Sequence, residues 1–287
     1  MCLWQRKYVI RLRHMSQQAF HNKWSQIHKE SPVQADEKSL YTELGNEPVT
    51  QRQLNLYYYF LFIQKHVSRV NAKNVIELGC GRGTISLFLA QYLGMNLTLM
   101  DNEEDAVNIS RDAFEAHGLH AEFITGDALD TKLPDESFDV AVSIGLAEHL
   151  DNVDDLFAEQ FRIIRPGGLM ITLNIPKKFS IQYLNTIHRT IKKLVGSYKE
   201  SVRKDYYRNT LKPKDYKKAA EHSGFKDISI THVCPFPIYV PITMKTDKRL
   251  ANARKIILKV RRIFQKYPYK TNRIVAQAHF LVAKKPR

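Results

Sequence analysis

VIELGCGRGT, residues 75–84, stands between RVNAKN and ISLFLAQYL. It joins an apolar run to a helical pattern, with Gly79, Gly81 and Gly83 at alternate positions and Glu77 just ahead of them. At a strand-to-helix junction such glycines allow tight turning, bring bare backbone close to a ligand, and present a helix N-terminus to it. A dinucleotide fingerprint, G-x-G-x-x-G, would need its third glycine at position 84, where Thr84 stands. The pattern is instead E-x-G-x-G-x-G. An acid beside the turn suits a ligand with a cationic amine better than one carrying only pyrophosphate.

Outward from this stretch, short β-branched runs alternate with amphipathic helical ones. NVIEL (74–78), NLTLMD (96–101), AEFITGD (121–127), FDVAVSIG (138–145) and LMITLN (169–174) read as strands. TISLFLAQYL (84–93) and EEDAVNISRDAFEAHG, with its terminal glycine, read as the helices between them. Strict alternation implies βαβ crossovers and a parallel sheet covered on both faces, so the fold class is α/β. Upstream, 53–70 predicts an apolar helix whose Tyr57–Phe60 cluster fills core. Downstream, 177–211 reads as a helical insertion, KPKDYKKAAEHSGF as a helix, KDISITHV (226–233) as a strand, and IVAQAHFLVA (274–283) as a final strand. PFPIYVPI and a basic helix form a second insertion between those two strands.

ELGCGRG resembles the first motif of class I S-adenosylmethionine-dependent methyltransferases, and further motifs follow in the family's order. Asp101 closes the second strand about twenty residues on, where a carboxylate can accept both hydroxyl protons of a ribose. Asp127 in ITGDA closes the third and resembles the family's acid for the adenine amine; FDVAVSIGLAEHL and RIIRPGGLMI resemble the fourth strand with its acceptor-side loop and the turn after it. The resemblance implies a Rossmann-like seven-stranded, mostly parallel sheet whose last strand is antiparallel, with S-adenosyl-L-methionine as co-substrate. Glu77, Gly79, Gly81, Gly83, Asp101, Asn102, Asp127, Ala128 and Ile144 are the expected cofactor-binding residues. The motif style is similar to the ubiquinone/menaquinone-biosynthesis type acting on small molecules.

Methyl transfer from a sulfonium is an in-line displacement in which positioning and desolvation carry most of the acceleration. A hydroxyl or carbon acid must also lose a proton, and His149 is the candidate base, against the alternative that Glu148-His149 merely starts a helix. Related quinone and small-RNA methyltransferases carry E-x-x-E-H at this place as metal ligands. Gly145 replaces the first glutamate here, so no metal is expected. The stretch after the fourth strand, SIGL, lacks the N/D-P-P-Y/F motif of base-amine methylation, and Cys234 stands too late to be a cytosine-ring nucleophile. Cys80 reads as packed, Arg82 as facing solvent, and Trp24 and Tyr41 either as residues of a cap that closes over the cofactor or as simple packing.

The chain of 287 residues has no apolar run near the roughly 18–20 residues of a spanning helix. The broken apolar stretch at the start is no secretory signal, and residues 1–14 read either as an over-extended start before Met15 or as a basic arm. Three cysteines without ligand spacing point to a reducing cytosol. Net charge is +15, yet residues 1–176 hold 16 Lys+Arg and 23 Asp+Glu, against 28 and 6 in 177–287. The expected organisation is an arm and cap over 1–52, a binding core over 53–176, and substrate-side insertions with the last two strands over 177–287. In 247–266, Leu250, Ala253, Ile257, Val260 and Phe264 form one apolar stripe among Lys and Arg; Ile181, Leu184, Ile191, Leu194 and Tyr198 form another. Three readings compete for these segments: a lid over the acceptor pocket with a solvated basic face, a helix lying on anionic membrane, or a nucleic-acid contact. The leading function is methyl transfer to a small or lipophilic metabolite at oxygen, nitrogen or carbon, in the cytoplasm or at a membrane surface. RNA methylation and a non-catalytic binding scaffold are the alternatives. The sequence assigns neither the acceptor nor the oligomeric state.

Overall fold

A computed structural model describes residues 22, 24, 25, 50–176, 207–236 and 243–287. Helix α1 (Gln51–Val67) begins at a capping box: Thr50 Oγ1 accepts from Gln53 N, and Gln53 Oε1 accepts from Thr50 N. It leads into β1 (Asn74–Leu78), α2 (Thr84–Leu93), β2 (Asn96–Asp101), α3 (Glu104–Glu115), β3 (Glu122–Thr125) and β4 (Phe138–Ile144). Then come α4 (Val153–Ile163), β5 (Ile164–Asn174), α5 (Pro213–His222), β6 (Lys226–Val233), α6 (Met244–Phe264) and β7 (Ala278–Lys284).

The seven strands form one sheet in the order β3-β2-β1-β4-β5-β7-β6. β7 runs antiparallel to both neighbours and the pairs among β1 to β5 are parallel. Strand order reverses between β1 and β4, and in sheets of this kind the crevice beyond the strand ends at that switch point is where ligands bind. The glycine loop leaves β1 there.

Alternation along the strands divides the core in two. Val75, Val140, Val142, Ile171, Phe280 and Val282 join α1, α2 and α3 on one face. Ile76, Leu78, Ala141, Met170, Leu281 and Ala283 join α4 and α5 on the other. Tyr58, Tyr59 and Phe60 are buried, as expected of packing residues; Tyr58 stacks on Tyr269 with centroids 4.4 Å apart, and Phe62 on Phe280 at 4.1 Å.

Two sequence expectations are corrected, and the direction of one stripe that the sequence left open is shown. β5 starts at Ile164 rather than 169: Ile164 pairs with Phe138, the register shifts before Leu169, and Gly167, at φ +86°, still bonds Lys285 O through its N at 2.9 Å. β7 starts at Ala278 rather than 274: Asn272 Oδ1 accepts from Ile274 N and Val275 N and holds the chain in a turn. The apolar stripe of α6 does not face the protein. Asp247, Ala251 and Leu258 are its buried residues, while Leu250, Ile257, Val260 and Phe264 are exposed. The 181–198 helix and Tyr41 lie outside the described residues. Among the described residues no helix is long and apolar enough to cross a membrane.

Candidate active site

All three glycines of the first loop adopt positive φ, +67° at Gly79, +56° at Gly81 and +61° at Gly83. That backbone, which L side chains rarely adopt, explains the alternate spacing. The loop is hooked onto the end of β2: Gly79 N and Cys80 N both donate to Met100 O, at 2.8 and 3.0 Å. Close approach adds a second reason for glycine. A Cβ at Gly81 would stand 2.9 Å from the Trp24 ring, and one at Gly83 would stand 2.5 Å from Leu99 Cδ2. Leu146, just after β4, packs equally close on Gly79.

Three carboxylates reach this edge from the ends of adjacent strands. Glu77 is buried on β1, and its Oε2 accepts from Ser86 N at 3.2 Å and from Ser86 Oγ, so it caps the first turn of α2. Burial pushes its carboxyl up to about 7; the Ser86 bonds oppose that shift and the Asp101 charge adds to it. Asp101, also buried, accepts from Gly81 N through Oδ2 at 2.9 Å and from Glu103 N through Oδ1 at 3.1 Å. It thereby fixes the glycine loop against the start of α3. Gly126 N bonds Asp101 O at 2.9 Å and so sets the β3 turn beside β2. Asp127 is exposed there, with Oδ1 accepting from Leu129 N. Asn102 is exposed beside Asp101, Ala128 is half-buried after Asp127, and Ile144 is half-buried at the end of β4.

Trp24 covers the loop from the N-terminal side and packs on Ala106 and Ile109 of α3; Ser25 Oγ donates to Asp105. Arg82 is half-buried rather than fully exposed. Cys80 is buried beside Ser110 at 3.7 Å, and burial raises its thiol well above the ordinary range, as fits packing rather than nucleophilic attack.

Across the switch point, His149 ends a single 3₁₀ turn, Ala147–His149. Its Nδ1 lies 2.6 Å from Tyr207 O. A carbonyl only accepts, so Nδ1 carries a proton there, and in the neutral tautomer that this selects Nε2 is the basic nitrogen. Next to it Glu148 is 1% exposed and pairs with Arg208 at 3.1 Å. Burial nevertheless pushes its carboxyl up to about 7 against the Arg208 charge. Asn209 completes the clasp: its Nδ2 donates to Ala147 O and Leu150 O, and its Oδ1 accepts from the Tyr216 hydroxyl. Among the described residues no group of three or more His, Cys, Asp or Glu is placed to hold a metal. Glu148, the acid of the would-be ligand pattern, pairs with Arg208 through Oε1.

Sequence reasoning missed Ser86, Ser110, Arg208 and Asn209. Ser110 had a signal, being the polar residue on the buried face of α3, and its Oγ donates to Gly81 O at 3.0 Å. Arg208 and Asn209 act on residues some sixty positions away and leave no local pattern.

Residues 75–168 match a family described as a methyltransferase domain. A fatty-acid O-methyltransferase of Mycolicibacterium smegmatis is 31% identical over 113 residues, 39% of this chain and 40% of that protein. A sterol 24-C-methyltransferase of Pneumocystis carinii is 27% identical over 110 residues, 38% of this chain and 29% of that protein. The matched stretch thus spans less than half the length of these curated relatives. The solved structure of Haemonchus contortus phosphoethanolamine N-methyltransferase 2 in complex with S-adenosyl-L-methionine superposes with a TM-score of 0.51. It is 15% identical and covers 87% of this chain and 60% of that one, a likeness of fold.

Proposed function

We propose that this chain, which carries a methyltransferase domain of the class I S-adenosylmethionine-dependent type, methylates a small or lipophilic metabolite at oxygen, nitrogen or carbon. The observation that carries the reading is the edge where Glu77 and Asp101, at the ends of β1 and β2, and Asp127, two residues beyond β3, follow three adjacent strands beside a bare glycine backbone. That cradle fits an adenosyl amino acid: Gly79, Gly81 and Gly83 admit it closely, and Trp24 walls the loop on its outer side. In the proposed arrangement Glu77 pairs with the amino cation, Asp101 accepts ribose hydroxyl protons, and Asp127 accepts from the adenine amine. Asn102, Ala128 and Ile144 flank the adenosyl group.

When bound, S-adenosylmethionine supplies an electrophilic methyl on a sulfonium that departs as a neutral thioether. The protein aligns the acceptor behind that methyl, excludes water, and takes up the acceptor's proton. His149 Nε2 is the proposed receiver, with the Tyr207 carbonyl holding the tautomer that leaves it basic. Residues 53–176 form the cofactor half, 177–287 the acceptor side, and 1–52 the cap. Two relatives are named for fatty-acid and sterol methylation, which supports a lipophilic substrate; the proposed place of work is the cytosol or its membrane surface. Incubation with methyl-labelled S-adenosylmethionine and a panel of fatty acids, quinols, sterols and total RNA tests this. Label in the organic phase, abolished by Asp101→Ala, is expected; label confined to RNA, or to nothing, overturns it.

A further inference from the structure

Helix α6 is oriented against its own hydrophobicity. Ile263 is 78% and Phe264 83% exposed, and Leu250, Ile256, Ile257 and Val260 are exposed with them. Their spacing of three and four puts them along one broad face. The inward side sets Ala251 and Leu258 among polar groups. Asp247 is buried and accepts from Gln51 Nε2 at 2.6 Å; Arg261 donates from Nε to Pro268 O at 2.8 Å and from Nη2 to Lys270 O at 2.6 Å. The Arg254 guanidinium lies 5.1 Å from the centre of the Phe236 ring. These contacts fix the rotation of the helix, since turning the apolar face inward would break each of them.

The exposed face is also one-signed. Asp247 is the only acid in Met244–Phe264, and it is buried, whereas Lys245, Lys248, Arg249, Lys259 and Arg262 are exposed. An occupant must therefore take aliphatic side chains and cations together. RNA would answer the cations, but isoleucine and valine offer bases no stacking platform. A second copy would bring an equally basic helix against the first. The headgroup–acyl boundary of an anionic bilayer meets both requirements, with apolar residues below the phosphates and Lys and Arg among them.

We infer that α6 is a membrane-docking helix, lying in the plane of an anionic phospholipid surface with Leu250, Ile256, Ile257, Val260, Ile263 and Phe264 inserted. Its place in the fold gives the contact a use. Asn55, near the start of α1, meets Tyr269 and Cys234, and Cys234 directly follows β6. The start of α1 is thus at the edge where the parallel strands end, and the Gln51–Asp247 bond ties the start of α6 to it. A lipophilic acceptor leaving the bilayer would arrive beside the strand ends. That last step rests on the proposed function, and the docking itself does not.

Flotation of the full chain with vesicles tests the inference, comparing pure phosphatidylcholine with phosphatidylcholine plus phosphatidylglycerol at low and high salt. Binding should need the anionic lipid and weaken with salt. Ile263→Ser/Phe264→Ser should lower partition by at least about tenfold, with thermal melting and S-adenosylmethionine binding unchanged; Lys259→Gln/Arg262→Gln should lower it less. Flotation unaltered by the apolar pair overturns the inference. So does a fall in melting temperature in that variant, which would mean that the chain itself covers the stripe. A dimer that the variant dissolves would assign the face to a second copy, and RNA retention without flotation would assign it to nucleic acid. Either result refutes docking. Loss of flotation with cofactor binding retained separates failure of the surface from failure of the methyl-transfer reading.

Discussion

Replacing Glu77 by glutamine keeps the shape of the side chain and an acceptor for Ser86, and removes only the charge. In the folded protein burial holds this carboxyl at about 7, against 4.5 ordinarily. Between those values the unfolded chain is ionised and the folded one still protonated, so the native state binds more protons. Stability therefore falls as pH rises through the window, by on the order of 3 kcal/mol once pH exceeds the folded value. Glu77→Gln should match the parent near about pH 5 and exceed it near about pH 8, in chemical denaturation of the ligand-free protein. Cofactor affinity should move the opposite way, because the ionised form is the partner of the amino cation. Parental affinity should rise with pH through about 7 with release of a proton, and the variant should bind roughly ten- to a hundredfold more weakly with a flat profile. Calorimetry in buffers of different ionisation enthalpy reads both quantities. A variant that tracks the parent in stability and affinity across the whole range would refute the reasoning.

Gly83→Ala combines a left-handed backbone, costing about 1–2 kcal/mol, with a Cβ 2.5 Å from Leu99 Cδ2, adding about 1–3 kcal/mol of overpacking. Gly94→Ala has the same φ of +61° with no heavy atom within 4 Å, so its melting temperature should drop by much less. Arg208→Met should cost roughly 3–5 kcal/mol at a pH where Glu148 is ionised, and less as pH falls, since without the Arg208 charge that carboxyl takes up its proton at a pH above the parent's value of about 7. Adding Glu148→Gln should restore most of the loss; a double variant no more stable than the single would show that the pair is not the cause.

Much of the binding half was legible because its signals are local. NVIEL, TISLFLAQYL and NLTLMD have the bounds of β1, α2 and β2, since the apolar period lies within each segment and Gly79, Gly83 and Gly94 mark boundaries between them. The alternate glycines announced a turn and Glu77 an acid, but their partners came only with the fold: Ser86, Ser110, and the indole of Trp24 over Gly81. Where the reading slipped, a local pattern had two solutions. IVAQ alternates like a strand yet serves as a turn held by Asn272. The direction of the α6 stripe stayed open in the sequence, because the polar contacts of Asp247 and Arg261 decide which face turns inward. The clasp of Arg208 and Asn209 over the turn after β4 depends on chain brought back from sixty residues away.

Titration of the intact protein with S-adenosylmethionine, beside Asp101→Ala and Asp101→Asn of verified fold, tests the central claim most directly. One saturable site per chain in the parent, lost in the alanine variant and weakened in the asparagine variant, is the predicted result. A folded parent that gives no binding, or three indistinguishable isotherms, would contradict it.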